Sequence, residues 1–161
     1  MPVGSYWFTD AGLNYRAPGG ALFRPSLTLT AGQFYDGTRI SGTFTPAWSV
    51  SRHLTLSGTY GYNPVRYKER DQEFTSHLTR ARIDLTFTTV TSASAFAQYN
   101  TADDVVGWNV RFRYNPSEGT DFYLVWDEAL NADRFDRFPV APLSQGRRLL
   151  VKYAKTFTLG F

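Results

Sequence analysis

The chain has 161 residues, enough for one domain, and a formal net charge of only +3 with 19% charged and 17% aromatic residues. It has no cysteine, which excludes disulfides, thiolate metal sites and cysteine nucleophiles. It also lacks a run of about 18 apolar residues, which excludes a transmembrane helix. The abundance of Phe, Tyr, Thr, Ser and Gly favours strands, so we predict one all-β domain over residues 1–161.

Apolar and polar residues alternate along nine segments, as they do in strands whose two faces meet different surroundings. Turn signals between the segments predict an antiparallel up-and-down meander. Pro46 cannot donate to a ladder, which predicts a bulge or a local break in the third strand. Pro64–Glu73 and Ala129–Gly146 are predicted to be long loops. The nine predicted strands are Ser5–Arg16, Leu22–Phe34, Arg39–Val50, His53–Asn63, Phe74–Thr89, Ala93–Asn100, Val106–Asn115, Thr120–Glu128 and Arg147–Phe161.

The last predicted strand ends the chain on an aromatic residue, Phe161. This ending is typical of bacterial outer-membrane barrels, whose final strand seals the barrel. The alternative is a soluble sheet that packs Phe161 into a core. Lys155 argues against contact of this apolar row with lipid. It lies on the row near the middle of the predicted strand, where a lipid-facing lysine costs about 2–4 kcal/mol.

Two further patterns favour a membrane barrel. The predicted connections alternate between short turns and longer loops, as they do in such barrels. Aromatic residues occupy the ends of the apolar rows and aliphatic residues the middle, which predicts two aromatic girdles at the membrane interfaces. The predicted interface aromatics are Trp48, Tyr60, Tyr62, Trp108, Tyr114, Trp126 and Phe161.

Charged residues interleave with Gly, Ser and Thr on the opposite row of several strands. A water-filled or charge-paired barrel interior accommodates such a row, and so does the exterior of a soluble sheet. We predict an electropositive interior in which the arginines pair with a few aspartates. The predicted interior charge cluster comprises Arg24, Arg80, Arg82, Asp84, Arg111, Arg113 and Asp121.

Four segments resemble the C-terminal barrel region of a bacterial family of uncharacterised outer-membrane proteins. They are GQFYDGTR at 32–39, RYNP at 113–116, DFYLVWDEALN at 121–131 and LLVKYAKTF at 149–157. In longer members of that family, the region follows a periplasmic domain similar to carbohydrate-binding family 9 modules. The resemblance covers nearly the whole chain and implies an outer-membrane barrel, with no established active-site residues to carry over.

Catalytic and metal-binding motifs are nearly absent. Ser76 and His77 with Asp71 or Asp84 form a conceivable hydrolase set, but a triad is defined by geometry. An acidic cluster near the end of the eighth strand is more consistent with a solvated loop than with a cation site; its members are Asp127, Glu128, Asp133 and Asp136. We predict no enzymatic activity, cofactor, metal ion or nucleic-acid partner.

Two classes of function therefore stand. The first is a barrel in the bacterial outer membrane that acts as a pore, an anchor or an assembly subunit, with the lipid bilayer as its partner. The second is a soluble β-sandwich or β-barrel that binds a ligand. We favour the first. Nine strands are an odd number, whereas single-chain bacterial barrels have an even number. We therefore expect this chain to be the C-terminal segment of a longer barrel, completed by further N-terminal strands or by another protein chain.

Overall fold

A computed structural model describes residues 8–34, 37–67, 71–135 and 138–157. The chain is all-β and its strands form one antiparallel sheet, which confirms the predicted fold class. The ten strands are β1 Asp10–Arg16, β2 Ser26–Phe34, β3 Gly37–Thr45, β4 Ala47–Ser49, β5 Leu54–Tyr67, β6 Gln72–Thr86, β7 Thr91–Asn100, β8 Val105–Ser117, β9 Thr120–Asn131 and β10 Ser144–Lys155.

β3 and β4 both pair with β5, and every other strand pairs with its neighbours in sequence, so the sheet is an up-and-down meander. The segment at 93–100, which has the weakest alternation, is a full strand that pairs along its length with both β6 and β8. β1 and β10 are the two edges of the sheet and do not pair with each other within the described residues. The sheet is therefore not closed within the part of the chain that the structure describes.

Pro46 causes the predicted break between β3 and β4. The pairing with β5 keeps one register across the break, since Phe44 lies opposite Tyr60 and Ala47 opposite Ser57. β4 is thus the end of the third predicted strand, separated from β3 by a single residue that has no N–H to donate. The amide of Gly58 still donates to the carbonyl of Pro46 at 2.9 Å.

The predicted loop Pro64–Glu73 is wrong. β5 continues to Tyr67 and β6 starts at Gln72, with an unbroken register between the two strands. Pro64 is tolerated because the N–H group that it lacks would point toward β3 alone, so the pairing with β6 loses no hydrogen bond. Pairing with β6 continues past it, whereas pairing with β3 skips Ile40, which lies across from Pro64.

The predicted alternation of short and long connections is also wrong. With the strands at their observed lengths, residues 50–53, 68–71, 87–90 and 101–104 form connections of equal size on both ends of the sheet. The connection at 17–25 is longer than the predicted turn, and its second half pairs with β4 through Leu22, Phe23 and Arg24. The long connection at 132–143 matches the interior of the predicted loop Ala129–Gly146.

The final strand differs from its prediction at both ends. β10 runs from Ser144 to Lys155, and residues 158–161, including Phe161, lie outside the described residues. Lys155 is thus the last residue of the strand rather than a mid-strand residue. It lies opposite Thr120, and its ammonium group lies 5.3 Å from the ring centroid of Phe157. The main observation against a lipid-facing apolar row therefore loses its force, because the lysine lies where the row ends.

The sheet has a single layer and no hydrophobic core. Among the described residues no apolar side chain is buried, and many large ones are more than a third exposed. Tyr153 is 63% exposed and Leu149 is 67% exposed, although both lie in a regular strand. The packing energy that normally stabilises a domain is therefore absent from the described residues.

Candidate functional site

The strand register divides the sheet into an apolar face and a polar face. Residues directly opposite each other in antiparallel strands share a face, so the pairing can be followed from β1 to β10. One such row joins Ile83, Ala95, Val110, Trp126 and Leu149. The row next to it joins Arg82, Phe96, Asn109, Asp127 and Arg148 on the other face. The predicted alternation therefore holds along these two rows, with Phe96 as an exception on the polar face.

The polar face is strongly basic. It carries four acidic residues, Asp10, Asp84, Asp121 and Asp127, in the described strands. It carries nine basic residues, which are Arg16, Arg24, Arg39, Arg80, Arg82, Arg111, Arg113, Arg148 and Lys152. All seven members of the predicted interior charge cluster lie on this face. The predicted cluster left out four basic residues that the register places on the same face, Arg16, Arg39, Arg148 and Lys152.

Two ion pairs organise the centre of the polar face. Arg82 donates from Nε and Nη2 to the carboxylate of Asp84 on the same strand, each at 2.8 Å. Arg113 on β8 donates from Nε to Oδ1 of Asp121 on β9 at 2.7 Å. The Arg113 guanidinium also lies 5.5 Å from the ring centroid of Tyr123. Both predicted aspartates thus neutralise one arginine each.

Arg111 lies between these pairs. It faces Ser94 of β7, which in turn lies opposite Asp84 of β6. A cavity of about 370 Å³ is formed here, lined by the charged residues of both strands and by Ser92, Ser94 and Tyr123. Among the described residues, Arg111 makes no hydrogen bond and no ion pair. Asp84 and Asp121 bind Arg82 and Arg113, and Asp127, which lies diagonal to Arg111 on β9, accepts a hydrogen bond from Asn109.

Two predicted members of the cluster lie apart from this cavity. Arg80 donates to the side-chain amide of Gln98 at 2.8 Å. Arg24 precedes β2 and donates to Ser49 Oγ at 3.2 Å. A second and larger cavity, about 600 Å³, opens beside Gln98, Asp127 and Arg148. The polar face thus holds both of these cavities.

The predicted interface aromatics lie together on the apolar face, except for Phe161, which is outside the described residues. Trp108 and Trp126 contact each other with ring centroids 5.2 Å apart. Tyr60 and Tyr62 both contact His77, whose Nδ1 hydrogen-bonds the Tyr60 hydroxyl at 2.8 Å. Trp108 lies in the half of β8 that follows the 101–104 connection, whereas Tyr60, Tyr62 and Trp126 lie near the middle of β5 and β9. The other two, Trp48 and Tyr114, lie toward the opposite end of the sheet.

One ion pair lies on the apolar face. Glu128 of β9 faces Arg147 of β10, and Arg147 Nη2 lies 2.7 Å from Glu128 Oε1. The Glu128 side chain is only 4% exposed, and the Arg147 guanidinium lies 5.8 Å from the centroid of the Trp126 ring. The sequence suggested an acidic cluster here, but Asp127 and Glu128 point to opposite faces. Asp136 lies outside the described residues.

The conceivable hydrolase set is wrong. Ser76 and His77 are consecutive in β6, so their side chains point to opposite faces. His77 contacts tyrosines on the apolar face, while Asp84 lies on the polar face. Within residues 8–34, 37–67, 71–135 and 138–157 no group of three or more His, Asp or Glu side chains could hold a metal ion.

No protein-family model, no curated protein and no solved structure matches this chain. The described residues contain no helix that is long and apolar enough to cross a membrane.

Proposed function

We propose that this chain forms a wall of a β-barrel in the bacterial outer membrane, with its apolar face against lipid and its basic face toward an aqueous interior. The barrel would act as a pore, an anchor or an assembly subunit, without enzymatic activity. One observation carries this proposal: a regular sheet places most of its large apolar side chains on one face, and none of them is buried among the described residues.

Burying a large aliphatic or aromatic side chain contributes about 1.5–3 kcal/mol, and whole domains are stable by only about 5–15 kcal/mol. A sheet that leaves Leu13, Leu149, Val151 and Tyr153 each more than 60% exposed to water forgoes that contribution. Its apolar face therefore needs a second apolar phase, which is either a lipid bilayer or another protein layer.

The distribution of charge on the apolar face favours lipid. Its charged residues all lie within four residues of a strand end: Arg66, Glu73, Glu128, Arg147 and Lys155. Between these ends the face is uncharged in the described strands. The apolar stretch from Val106 to Tyr114 spans about 27 Å along the strand at roughly 3.4 Å per residue. At a strand tilt of about 40°, it covers about 21 Å of membrane, close to the apolar band of known barrels.

The open edges fit the same proposal. Lipid provides no hydrogen bonds for unpaired backbone groups, so a membrane sheet must close. We propose that β1 and β10 are completed by further strands of a longer protein or by another protein chain, which would give the barrel its full circumference.

The test uses pairs of adjacent residues in a chain that has no native cysteine. Val110→Cys and Leu56→Cys place a thiol on the apolar face, while the matched controls Asn109→Cys and Ser57→Cys place it on the polar face. In vesicles, a lipid-soluble maleimide should label the first pair, and a charged maleimide should label the second. A chain that stays monodisperse without detergent and does not float with vesicles would contradict the proposal and support a soluble ligand-binding module.

A further inference from the structure

We propose that the polar face holds a binding site for a small oxyanion, of the phosphate or carboxylate class, centred on Arg111. The site is the cavity of about 370 Å³ between β6 and β8. Arg111, Ser94 and Asp84 lie in one row across three strands, and neighbouring strands lie about 4.8 Å apart. The Arg111 guanidinium therefore lies within reach of the cavity from one wall, with Arg82 on the opposite wall.

The charge balance of the cavity leaves one cation without a counterion. Arg82 is neutralised by Asp84, and Arg113 is neutralised by Asp121. Within the described residues, Arg111 has neither a hydrogen-bond partner nor an ion-pair partner. A guanidinium presents five N–H donors and no acceptor, so an unpaired one beside two occupied ion pairs is a ready anion site.

The neighbours of Arg111 are held in place. The bidentate pair with Asp84 fixes the Arg82 side chain, and the Tyr123 ring together with Asp121 fixes that of Arg113. An anion would then meet preorganised donors and would not have to separate an existing pair, because the bidentate bonds keep Asp84 on Arg82. Little ordering free energy is lost on binding in such a site.

The lining also indicates the class of anion. Ser92 and Ser94 place hydroxyl groups on the cavity wall next to the guanidinium groups. The planar fork of an arginine matches two oxygens of a carboxylate or a phosphate, a match that a halide cannot provide. The wider polar face, with nine basic and four acidic residues, adds a long-range attraction for any anion.

This inference does not rest on the membrane proposal, since the polar face meets water whichever phase covers the other face. The experiment is isothermal titration of the full chain in detergent micelles with inorganic phosphate at low ionic strength. We expect saturable binding of one phosphate per chain. Arg111→Gln should weaken it by at least about tenfold, the loss expected for a charge-assisted hydrogen-bonded contact.

Two further variants separate a built site from a diffuse positive field. Arg111→Lys keeps the charge but loses the fork, so it should also weaken phosphate binding. Arg16→Gln removes the same charge from β1 on the same face, away from the cavity, and should bind phosphate like the unmodified chain. Far-ultraviolet circular dichroism checks that each variant is folded.

Three results would overturn the site: no saturable phosphate binding, equal losses in Arg111→Gln and Arg16→Gln, or unchanged binding in Arg111→Lys. Vesicle flotation of the same protein reports separately on the membrane proposal. Binding without flotation would contradict the membrane proposal alone, and flotation without binding would contradict the anion site alone.

Discussion

Glu128 and Arg147 lie directly opposite each other on β9 and β10 and form an ion pair on the face that otherwise carries the apolar side chains. The carboxylate is covered and the guanidinium is largely open, with exposed fractions of 4% and 64% for the two side chains. An acidic group that is shielded from water depends on its partner, because removal of the partner leaves an uncompensated charge. The pair thus ties the β9–β10 register at the point where β10 follows its bulge near Ser144.

We expect Arg147→Ala to lower the thermal unfolding midpoint in detergent by several degrees, because Glu128 loses its only ion-pair partner among the described residues. Arg148→Ala is the matched control. That neighbouring residue points to the polar face and has no hydrogen-bond or ion-pair partner in the described part of the chain. Arg147→Ala,Glu128→Gln should recover part of the loss. Equal midpoints for the two single variants would show that the pair contributes nothing.

β5 pairs with β3 and β4 along one edge and with β6 along the other, and we call these two rows of hydrogen bonds the first and the second seam. The first seam should open more readily than the second. Two prolines, Pro46 and Pro64, each remove a donor from the first seam, whereas the second is continuous from Leu54 to Tyr67. Each missing hydrogen bond weakens the pairing by about 1 kcal/mol. The chain therefore has one weak and one strong seam on either side of the same strand.

Alternate amides of β5 report on the two seams, because residues of an antiparallel strand bond alternately to either neighbour. The Gly58 amide donates to the Pro46 carbonyl, on the side of β3 and β4. The Thr86 amide donates to the carbonyl of His53, just before β5, on the side of β6. Even-numbered amides such as those of Leu56 and Tyr60 should thus exchange at least about tenfold faster than the odd-numbered amides of Ser57 and Thr59. Hydrogen exchange followed by NMR measures this directly. Uniform exchange along β5 would mean that the prolines do not weaken the seam.

The alternation predicted the faces because side chains in a strand have a period of two, which is visible in sequence without knowledge of the register. It failed beyond Asn63 for a physical reason. There Val65 and Tyr67 lie on the polar face while Arg66 lies on the apolar face, so the strand continues with the pattern inverted. The backbone hydrogen bonds between β5 and β6 continue past the point where apolar and polar residues keep to separate faces. The residue types there do not indicate where the strand ends.

The charge cluster shows the same limit. Parity placed Arg82, Asp84, Arg111 and Arg113 on one face, and the structure confirms this. Which arginine keeps a carboxylate and which stays unpaired depends on the register between strands and on side-chain rotamers, and neither follows from alternation. The Glu128–Arg147 ion pair could not be predicted for the same reason. The two residues were predicted at strand ends on either side of a long loop, and only the register shows that they lie opposite each other.

Gly119 should be far less tolerant of substitution than Gly107. Gly119 lies in the β8–β9 turn with φ of +73°, and a Cβ added there would come within 2.9 Å of the Thr156 Cβ. A left-handed conformation costs a non-glycine residue roughly 1–2 kcal/mol before any clash. Gly107 in β8 has open space around its Cβ position and is the matched control.

We expect Gly119→Ala to destabilise the chain by about 1–2 kcal/mol or more, whereas Gly107→Ala should leave its stability within about 0.5 kcal/mol. Chemical unfolding in detergent measures both variants. Similar values for the two would show that the turn relaxes to accept a side chain and that the contact with Thr156 does not fix it.

An assembled barrel that encloses the polar face should pass anions in preference to cations, because nine basic residues face four acidic ones on that wall. Reversal potentials in a salt gradient across a planar bilayer measure the preference. Arg111→Glu changes the charge of the polar face by two units and should reduce the anion preference. Lys155→Glu makes the same change on the apolar face, at the end of β10, and should leave the preference unchanged. Cation preference in the unmodified chain, or an equal response to both variants, would show that the polar face does not line the path of the ions.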